Sequence, residues 1–178
     1  MKRILVIYKS KYGSTGEYAL NIANKLNADV IEMGQWNKKI VEGYDIFIFA
    51  CPIYAGSLSM AKAIESEITL LKSKKVVFFT VGITPPEDKE FYQMLMTKHF
   101  SKDWIEHMKV FHLRGKIKYK ELKWMDKKIM GMMRHMIAKK PESDRTTQDK
   151  AILNTYGEVL DFMDLSSTDA IVSYIKEI

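Results

Sequence analysis

The residues best suited to chemistry lie in the segment SKYGST, at positions 10–15, directly after a short apolar run. Ser10, Ser14 and Thr15 carry hydroxyl groups that can donate hydrogen bonds to an anion, and Gly13 lets the backbone curl so that several N–H groups point at one centre. At the start of a helix, such a loop favours a phosphate. Neither the P-loop spacing G-x-x-x-x-G-K-[ST] nor the dinucleotide fingerprint G-x-G-x-x-G occurs here. The alternative interpretation is a connecting turn rich in serine and glycine.

Three short apolar runs, at 4–8, 44–50 and 75–81, predict the strands that would position this loop. They are continuous rather than alternating, which is typical of strands buried on both faces of a parallel sheet. Weaker runs at 28–33 and 108–113 could supply two more strands. Helical spacing of apolar residues is found between them at 16–26, 59–71 and 88–99. The alternation predicts an α/β fold with a mostly parallel sheet.

Composition narrows the class of protein. The chain has 178 residues, of which 47% are hydrophobic, and this suits a single domain, 1–178, with an ordinary core. No apolar stretch approaches the ~20 residues that span a bilayer, and the apolar run near the N-terminus is too short for a signal peptide, so we expect a cytoplasmic protein. The single cysteine, Cys51, excludes an intrachain disulfide and is expected to be a packing residue. The histidines show no metal-ligand spacing, and no metal site is predicted.

The segment at 10–15 resembles the phosphate loop of flavodoxins, [ST]-x-T-G-x-T, and its match rests on Ser10, Gly13 and Thr15. Tyr12 departs from the pattern, since most flavodoxins have threonine there. The resemblance implies a flavodoxin-like three-layer α/β/α fold with a five-stranded parallel sheet in the order 2-1-3-4-5, and FMN as the cofactor. The residues expected to hold its phosphate are Ser10, Lys11, Tyr12, Gly13, Ser14 and Thr15, with Lys11 adding positive charge.

The same resemblance implies that the flavin ring is held by the loops after strands three and four. In the first loop Tyr54 could stack on the ring, Pro52 stiffens the chain and Gly56 permits close backbone approach. In the second loop, backbone N–H and C=O groups could meet the polar edge of the ring. The alternatives are a surface aromatic and a rigid link into the next helix. The expected contacts are Pro52, Ile53, Tyr54, Ala55 and Gly56, together with Val81, Gly82, Ile83 and Thr84.

A narrower resemblance connects the chain to the menaquinone-dependent protoporphyrinogen oxidase family. Residues 44–64 are similar to that family's region after strand three, although 53–56 read I-Y-A-G where the family has I-x-Y-G. Residues 113–144 are similar to its insertion after strand five, in which a basic, aromatic stretch enters a helix rich in methionine and lysine. The helical pattern at 148–160 departs from the family's short enzymes. The resemblance implies an FMN-dependent enzyme that takes hydrogen from a hydrophobic substrate and passes electrons to a quinone.

The insertion, 114–147, is strongly basic, and 121–139 are predicted to form a helix. The apolar stripe of this helix comprises Leu122, Met125, Ile129, Met132, Met133 and Met136, widened by Met130 and Ile137. The opposite side comprises Lys127, Lys128, Arg134 and His135. The helix is predicted either to cover one edge of the sheet, or to meet a partner or an anionic membrane surface through 114–140.

Two functions follow from these observations. The first is an FMN-dependent oxidoreductase for a hydrophobic substrate or quinone, placed in the cytoplasm with peripheral contact at the inner face of the membrane. The second is an electron-transfer carrier that docks on a redox partner protein; the net charge of +6 weighs against it, because flavodoxins are typically acidic. No catalytic side chain is predicted, since the flavin would carry the redox chemistry. Nucleic acid is not expected as a partner, because the basic segment lacks a recognisable reading motif.

Overall fold

The structure, a computed structural model, describes residues 2–154 and 156–178. Its main sheet contains β1 (Ile4–Tyr8), β2 (Asp29–Glu32), β3 (Ile46–Tyr54), β4 (Ser57–Leu58), β5 (Lys75–Gly82) and β6 (Lys109–Arg114). Five of these strands are parallel in the order β2-β1-β3-β5-β6, which confirms the predicted order 2-1-3-4-5. The sheet has six strands rather than the predicted five. The chain folds back immediately after β3, and β4 pairs antiparallel with it.

Helices cover both faces of this sheet. The helices are α1 (Ser14–Leu26), α2 (Ala61–Glu65), α3 (Ile68–Leu71), α4 (Lys89–His99), α5 (Lys102–His107), α6 (Trp124–Lys139), α7 (Thr147–Asn154) and α8 (Asp169–Glu177). One face of the sheet packs against α1 and α8, and the other packs against α2 to α5. Phe47 and Ile48 are neighbours in β3 yet belong to opposite cores, because successive side chains of a strand point to opposite faces. This explains the continuous apolar runs and confirms the flavodoxin-like three-layer fold.

The predicted helix at 59–71 is interrupted in its middle. Helix α2 ends at Glu65 and α3 begins at Ile68, and between them the Glu67 N–H donates to the Ile64 carbonyl at 3.0 Å in a tighter turn. The turn changes the direction of the side chains that follow. Glu67 is therefore only 8% exposed, and Lys38 Nζ lies 3.7 Å from its carboxylate.

The end of the chain also differs from the sequence-based expectation. Helix α7 stops at Asn154, and Val159–Asp161 form a strand, β8, so the helical pattern predicted at 148–160 is wrong in its last part; residue 155 lies outside the described residues. Strand β8 pairs antiparallel with β7 (Lys116–Lys118) at the start of the insertion. The two ends of the segment between β6 and α8 are thereby joined. No helix among the described residues has the length and apolar character needed to cross a membrane.

His112 lies at the interface between β6 and the helices on one face of the sheet. Its ring stacks on Tyr92 with the centroids 3.6 Å apart, and its Nδ1 lies 2.8 Å from the Thr80 hydroxyl oxygen. The Tyr92 hydroxyl in turn donates to the Thr84 carbonyl at 2.8 Å, so this stack supports the loop after β5. Burial lowers the pKa of His112 from 6.5 to about 4.

The depressed pKa of His112 predicts a specific loss of stability in mild acid. Between pH 6.5 and about 4 the unfolded chain protonates this histidine while the folded protein keeps it neutral, so the unfolded state binds more protons and stability falls as the pH falls. Replacing His112 by Asn should remove about 2 kcal/mol of this pH dependence. Urea unfolding at several pH values measures the effect. In the exposed His135→Asn variant, the free energy of unfolding should depend on pH as it does in the unsubstituted protein. An unchanged pH dependence in His112→Asn would contradict the assignment of this effect to His112.

Candidate functional site

A cavity of about 560 Å³ opens at the carboxyl ends of β1, β3 and β5. These strands are neighbours in the sheet, so the segments that follow them meet at one edge. Fourteen of the fifteen predicted binding residues line the cavity, and their contact with a cofactor stays a prediction. They are Ser10, Lys11, Tyr12, Ser14 and Thr15, then Pro52, Ile53, Tyr54, Ala55 and Gly56, and finally Val81, Gly82, Ile83 and Thr84. The remaining residue, Gly13, shapes the loop instead.

The loop after β1 has the geometry of an anion cradle. Gly13 has φ +95°, a conformation that residues with side chains rarely adopt, and its N–H donates to the Ser10 hydroxyl oxygen at 3.2 Å. Helix α1 begins at the next residue, so Ser14 and Thr15 lie in its first turn, where backbone N–H groups have no partner within the helix. Both side chains are buried and line the cavity. The loop therefore offers hydroxyl donors, amide donors and the positive end of a helix dipole in one place.

The insertion begins directly against this cradle. Gly115 donates its N–H to the Gly82 carbonyl at 2.7 Å, and a Cβ at Gly115 would lie 3.0 Å from Val81 Cγ1, so the close approach favours glycine. The Lys116 N–H donates to the Ser14 hydroxyl oxygen at 3.3 Å. The Lys116 ammonium group also lies 2.7 Å from the carboxylate of Glu17 in the first turn of α1. These contacts were not predicted, because they connect positions that are distant in the chain.

The segment after the third predicted strand is a tight hairpin rather than a loop. Strand β3 continues through Pro52 to Tyr54, and Ala55 and Gly56, both with positive φ, turn the chain into β4. Pro52 thus lies within the strand, opposite Val81 of β5, and does not stiffen a loop as predicted. The hairpin carries Tyr54 to the rim of the cavity, and burial raises its pKa, so the phenol stays protonated.

Internal donors hold the loop after β5 by its carbonyl groups. The Ile83 carbonyl accepts from Arg114 Nε at 3.2 Å and from Nη2 at 3.1 Å, and the Thr84 carbonyl accepts from Tyr92. The Arg114 guanidinium in turn lies 3.4 Å from the centre of the Phe162 ring. With these carbonyl groups already paired, the predicted contact with the polar edge of a flavin is better suited to the amide N–H groups of the loop.

An acidic residue from α6 sits beside the phosphate loop. Lys11 Nζ lies 2.7 Å from Asp126 Oδ2, and the Tyr12 hydroxyl donates to the same carboxylate. Burial opposes ionisation of Asp126, which is 5% exposed, but hydrogen bonds from Lys11, Tyr12 and Tyr54 outweigh it and lower its pKa to about 2. The charge of Lys11, predicted to serve the phosphate, is thus already paired with a carboxylate.

Tyr12 and Tyr54 form an aromatic corner next to this carboxylate. Their rings lie 6.1 Å apart at an interplanar angle of 22°, and Lys11 Nζ lies 4.3 Å from the centre of the Tyr54 ring. The Tyr12 hydroxyl oxygen also accepts from the Lys123 N–H at 3.1 Å. Tyr12, which departs from the flavodoxin pattern, therefore reaches the insertion instead of replacing a small phosphate ligand.

Helix α6 forms the wall opposite the three segments. Its inward face comprises Asp126, Met130, Met133 and Ile137, at spacings of four, three and four residues, and Ile152 of α7 extends the wall. Much of the apolar stripe predicted from the sequence points elsewhere: Met125 and Met132 are 57% and 66% exposed. The prediction that the helix covers a sheet edge is also replaced, because its inward face borders the cavity. Asp126, which was assigned to neither side from the sequence, lies on the inward face and so fixes the rotation of the helix.

Cys51 does not contribute reactive chemistry to the site. Its side chain is fully buried, and burial raises the pKa of the thiol to about 11. A protonated, enclosed thiol is a poor nucleophile, and the residue packs in the core as the sequence predicted.

Comparison with known proteins identifies the family to which the chain belongs. Residues 5–144 match the model of the flavodoxin domain. An uncharacterized protein of Methanocaldococcus jannaschii is 32% identical over 103 residues, which cover 56% of this chain and 67% of the relative. The solved structures that resemble this chain include the two-electron reduced flavodoxin of Megasphaera elsdenii, with 18% identity, a TM-score of 0.46 and coverage of 61% of this chain and 84% of that chain. A flavoprotein of Lactobacillus acidophilus in complex with FMN has 16% identity, a TM-score of 0.41 and coverage of 64% and 93%.

The cavity fits a flavin mononucleotide. The cradle at 10–15 offers donors to a phosphate, Tyr54 presents an aromatic ring at the rim, and the volume lies in the range of small-molecule sites. Together with the domain match, which covers well over half of the chain, these features support FMN binding. The chain belongs to the flavodoxin domain family.

Proposed function

We propose that this protein is an FMN-dependent oxidoreductase that acts on an apolar small molecule. The observation that carries the proposal is the contrast between the two walls of the cavity. One wall carries hydroxyl donors suited to a phosphate and tyrosine rings, and the other is formed mainly by the methionines and isoleucines of α6 and α7, with Lys140 and Asp149 also in the lining. A protein that only exchanged electrons with a partner would need an exposed flavin edge, whereas this cavity places an apolar surface next to the flavin loops.

The residues of the chain divide the work of binding. Ser10, Ser14 and Thr15, with the first turn of α1, bind the phosphate, and Tyr54 stacks against the ring system. The loop at 82–84, held by Arg114 and Tyr92, orients the polar edge of the ring. When bound, FMN supplies hydride or single-electron transfer, and the protein's part is to orient it and exclude water.

The methionines in the cavity wall formed by α6, called the methionine wall below, indicate the class of substrate. Met130 and Met133 are unbranched and polarizable, so they adapt to flat apolar molecules of different outline. Quinones have this character, and the macrocycle of a porphyrinogen, which is puckered at its saturated methylene bridges, would need the same adaptability. The resemblance of 113–144 to the insertion of menaquinone-dependent protoporphyrinogen oxidases favours a porphyrinogen as the hydrogen donor and a quinone as the acceptor.

The outer side of α6 supports peripheral contact with an anionic membrane surface, at the inner face if the protein is cytoplasmic. Trp124, Met125 and Met132 are well exposed, and Lys128 lies beside Trp124 with its ammonium 4.9 Å from the ring centre. Ile129 and Met136 belong both to this exposed stripe and to the lining of the cavity. An apolar path therefore runs from the surface into the site, as a substrate dissolved in lipid would need.

A negative charge in the phosphate loop tests the orientation of the cofactor. Ser14→Asp should repel the phosphate and weaken FMN binding at least about tenfold, which corresponds to ~1.4 kcal/mol. Riboflavin, which lacks the phosphate, should bind with little change, and fluorescence titration of each flavin measures the two affinities. Ser101→Asp adds the same charge at the exposed N-cap of α5 and should bind FMN normally. Equal losses for FMN and riboflavin would contradict the phosphate assignment.

A polar substitution in the methionine wall tests the substrate class. Met133→Gln keeps the length of the side chain but places an amide in the apolar wall, at a cost of about 1–3 kcal/mol if the amide finds no partner. We expect the rate at which a naphthoquinone reoxidises chemically reduced, FMN-loaded protein to fall about tenfold. Met132→Gln changes the neighbouring exposed methionine and should keep the rate. If both variants retain the reoxidation rate of the unsubstituted protein, the protein is better described as an electron carrier whose flavin is accessible without passing the α6 wall.

Vesicle binding tests the membrane proposal. Full-length protein should co-sediment with vesicles that contain an anionic phospholipid, and much less with vesicles of phosphatidylcholine alone. Met132→Asp should lower binding to the anionic vesicles about tenfold, because a charge would then enter the interface. Met94→Asp alters a methionine of α4 that is 62% exposed and should bind like the unsubstituted protein. Equal binding by all three proteins would place the contact elsewhere.

A further inference from the structure

We propose that Lys11 and Tyr12 are positioning residues that hold α6 over the cavity through Asp126, and that neither is a phosphate ligand. The proposal rests on the proposed function for its consequence, since the enclosed space is the substrate half of the flavin site. The contacts themselves are independent of any cofactor. They join the loop after β1 to the first turn of α6, two segments more than a hundred residues apart.

The polar contacts between α6 and the phosphate loop concentrate at the first turn of α6. Among the described residues, the polar contacts that the structure gives between α6, with its N-cap Lys123, and the phosphate loop pass through Asp126 or the Tyr12 hydroxyl. Towards its other end, α6 is tied to the segments that follow it. Arg145 Nη2 donates to the Ala138 carbonyl at 2.8 Å, and the Arg134 guanidinium lies 4.7 Å from the centre of the Tyr156 ring. Besides the Lys116–Glu17 pair at its base, the insertion is thus attached to the flavodoxin body by charge at the first turn of α6.

The burial of Asp126 shows why the pair matters. A carboxylate that is 5% exposed must be compensated, and loss of one partner of such a pair is far more costly than loss of both. The phosphate of FMN would be a second anion close to the same loop. Lys11, beside Asp126, screens the carboxylate from that phosphate and allows α6 to stay in place when the cofactor binds.

The geometry also separates Lys11 from the phosphate-binding groups. Ser14 and Thr15 lie in the first turn of α1 and present their side chains to the cavity. The Lys11 ammonium lies instead over the Tyr54 ring and against Asp126. A lysine placed in this way is held by an aromatic face and a carboxylate, and its removal should release the helix rather than the phosphate.

Hydrogen exchange combined with flavin titration tests the proposal. The variants are Lys11→Met, Asp126→Leu and the double variant, with Lys9→Met as the control, since Lys9 is an exposed lysine nearby in the chain. Amide exchange of 124–139 in the apo protein measures attachment of α6, and the ratio of FMN to riboflavin affinity measures phosphate binding. Exchange can be measured whether or not FMN binds, so failure of the proposed function and failure of this inference remain distinguishable.

Lys11→Met should accelerate amide exchange throughout α6 about tenfold or more. If the two residues act as a pair, the acceleration in the double variant should be smaller than the product of the accelerations in the two single variants. The FMN-to-riboflavin ratio should stay within about threefold of the unsubstituted protein in Lys11→Met. A large fall of that ratio with unchanged exchange would make Lys11 a phosphate ligand and overturn the proposal. Multiplicative effects of the two substitutions on exchange would also overturn it, because the two residues would then act independently.

Discussion

The site depends on one constraint, the adjacency of β1, β3 and β5 in a sheet that is buried on both faces. Parallel strands release their following segments at the same edge, so three segments that are far apart in the sequence meet around one cavity. Burial fixes the register, because a slip by one residue would exchange the two apolar cores. The positions of the predicted binding residues in these segments therefore follow from hydrophobic packing that is remote from the cavity.

The second wall of the cavity has a different physical origin. The insertion is tied to the body at its base by Gly115 and the Lys116–Glu17 pair, and at the first turn of α6 by Asp126. Between these attachments the helix contributes flexible apolar side chains. A rigid polar cradle thus faces an adaptable apolar wall, which suits a bound cofactor on one side and an exchanging substrate on the other.

The parts of the structure that repeat along the chain could be predicted from the sequence. Continuous apolar runs predicted three of the five parallel strands and weaker runs predicted the other two, and a phosphate-binding role for the loop after β1 was predicted from its hydroxyls and from Gly13 between a strand and a helix. Contacts between distant positions could not be found in this way. The pairing of Asp126 with Lys11, and of Lys116 with Glu17, depends on the path of the insertion, for which periodicity carries no signal.

Helix α6 shows the limit most clearly. Its extent was predicted, but its rotation was not, because the apolar residues were grouped into a single stripe and Asp126 was assigned to neither side. The buried carboxylate divides that stripe and leaves Met125 and Met132 exposed. The sequence signal that could have indicated this rotation is an acidic residue in the first turn of an otherwise basic helix. In the folded protein this residue lies next to Tyr12, which departs from the phosphate-loop pattern. The hairpin between β3 and β4 was not predicted either, because Ala55 occupies a turn position that usually takes asparagine or glycine.

A crystal structure of the protein soaked with FMN would show whether the loop after β1 holds the phosphate. We expect the phosphate within hydrogen-bond distance of the Ser10, Ser14 and Thr15 hydroxyls, and the ring system between Tyr54 and the loop at 82–84, with α6 over it. Flavin density at another surface, or a phosphate bound away from the first turn of α1, would contradict it.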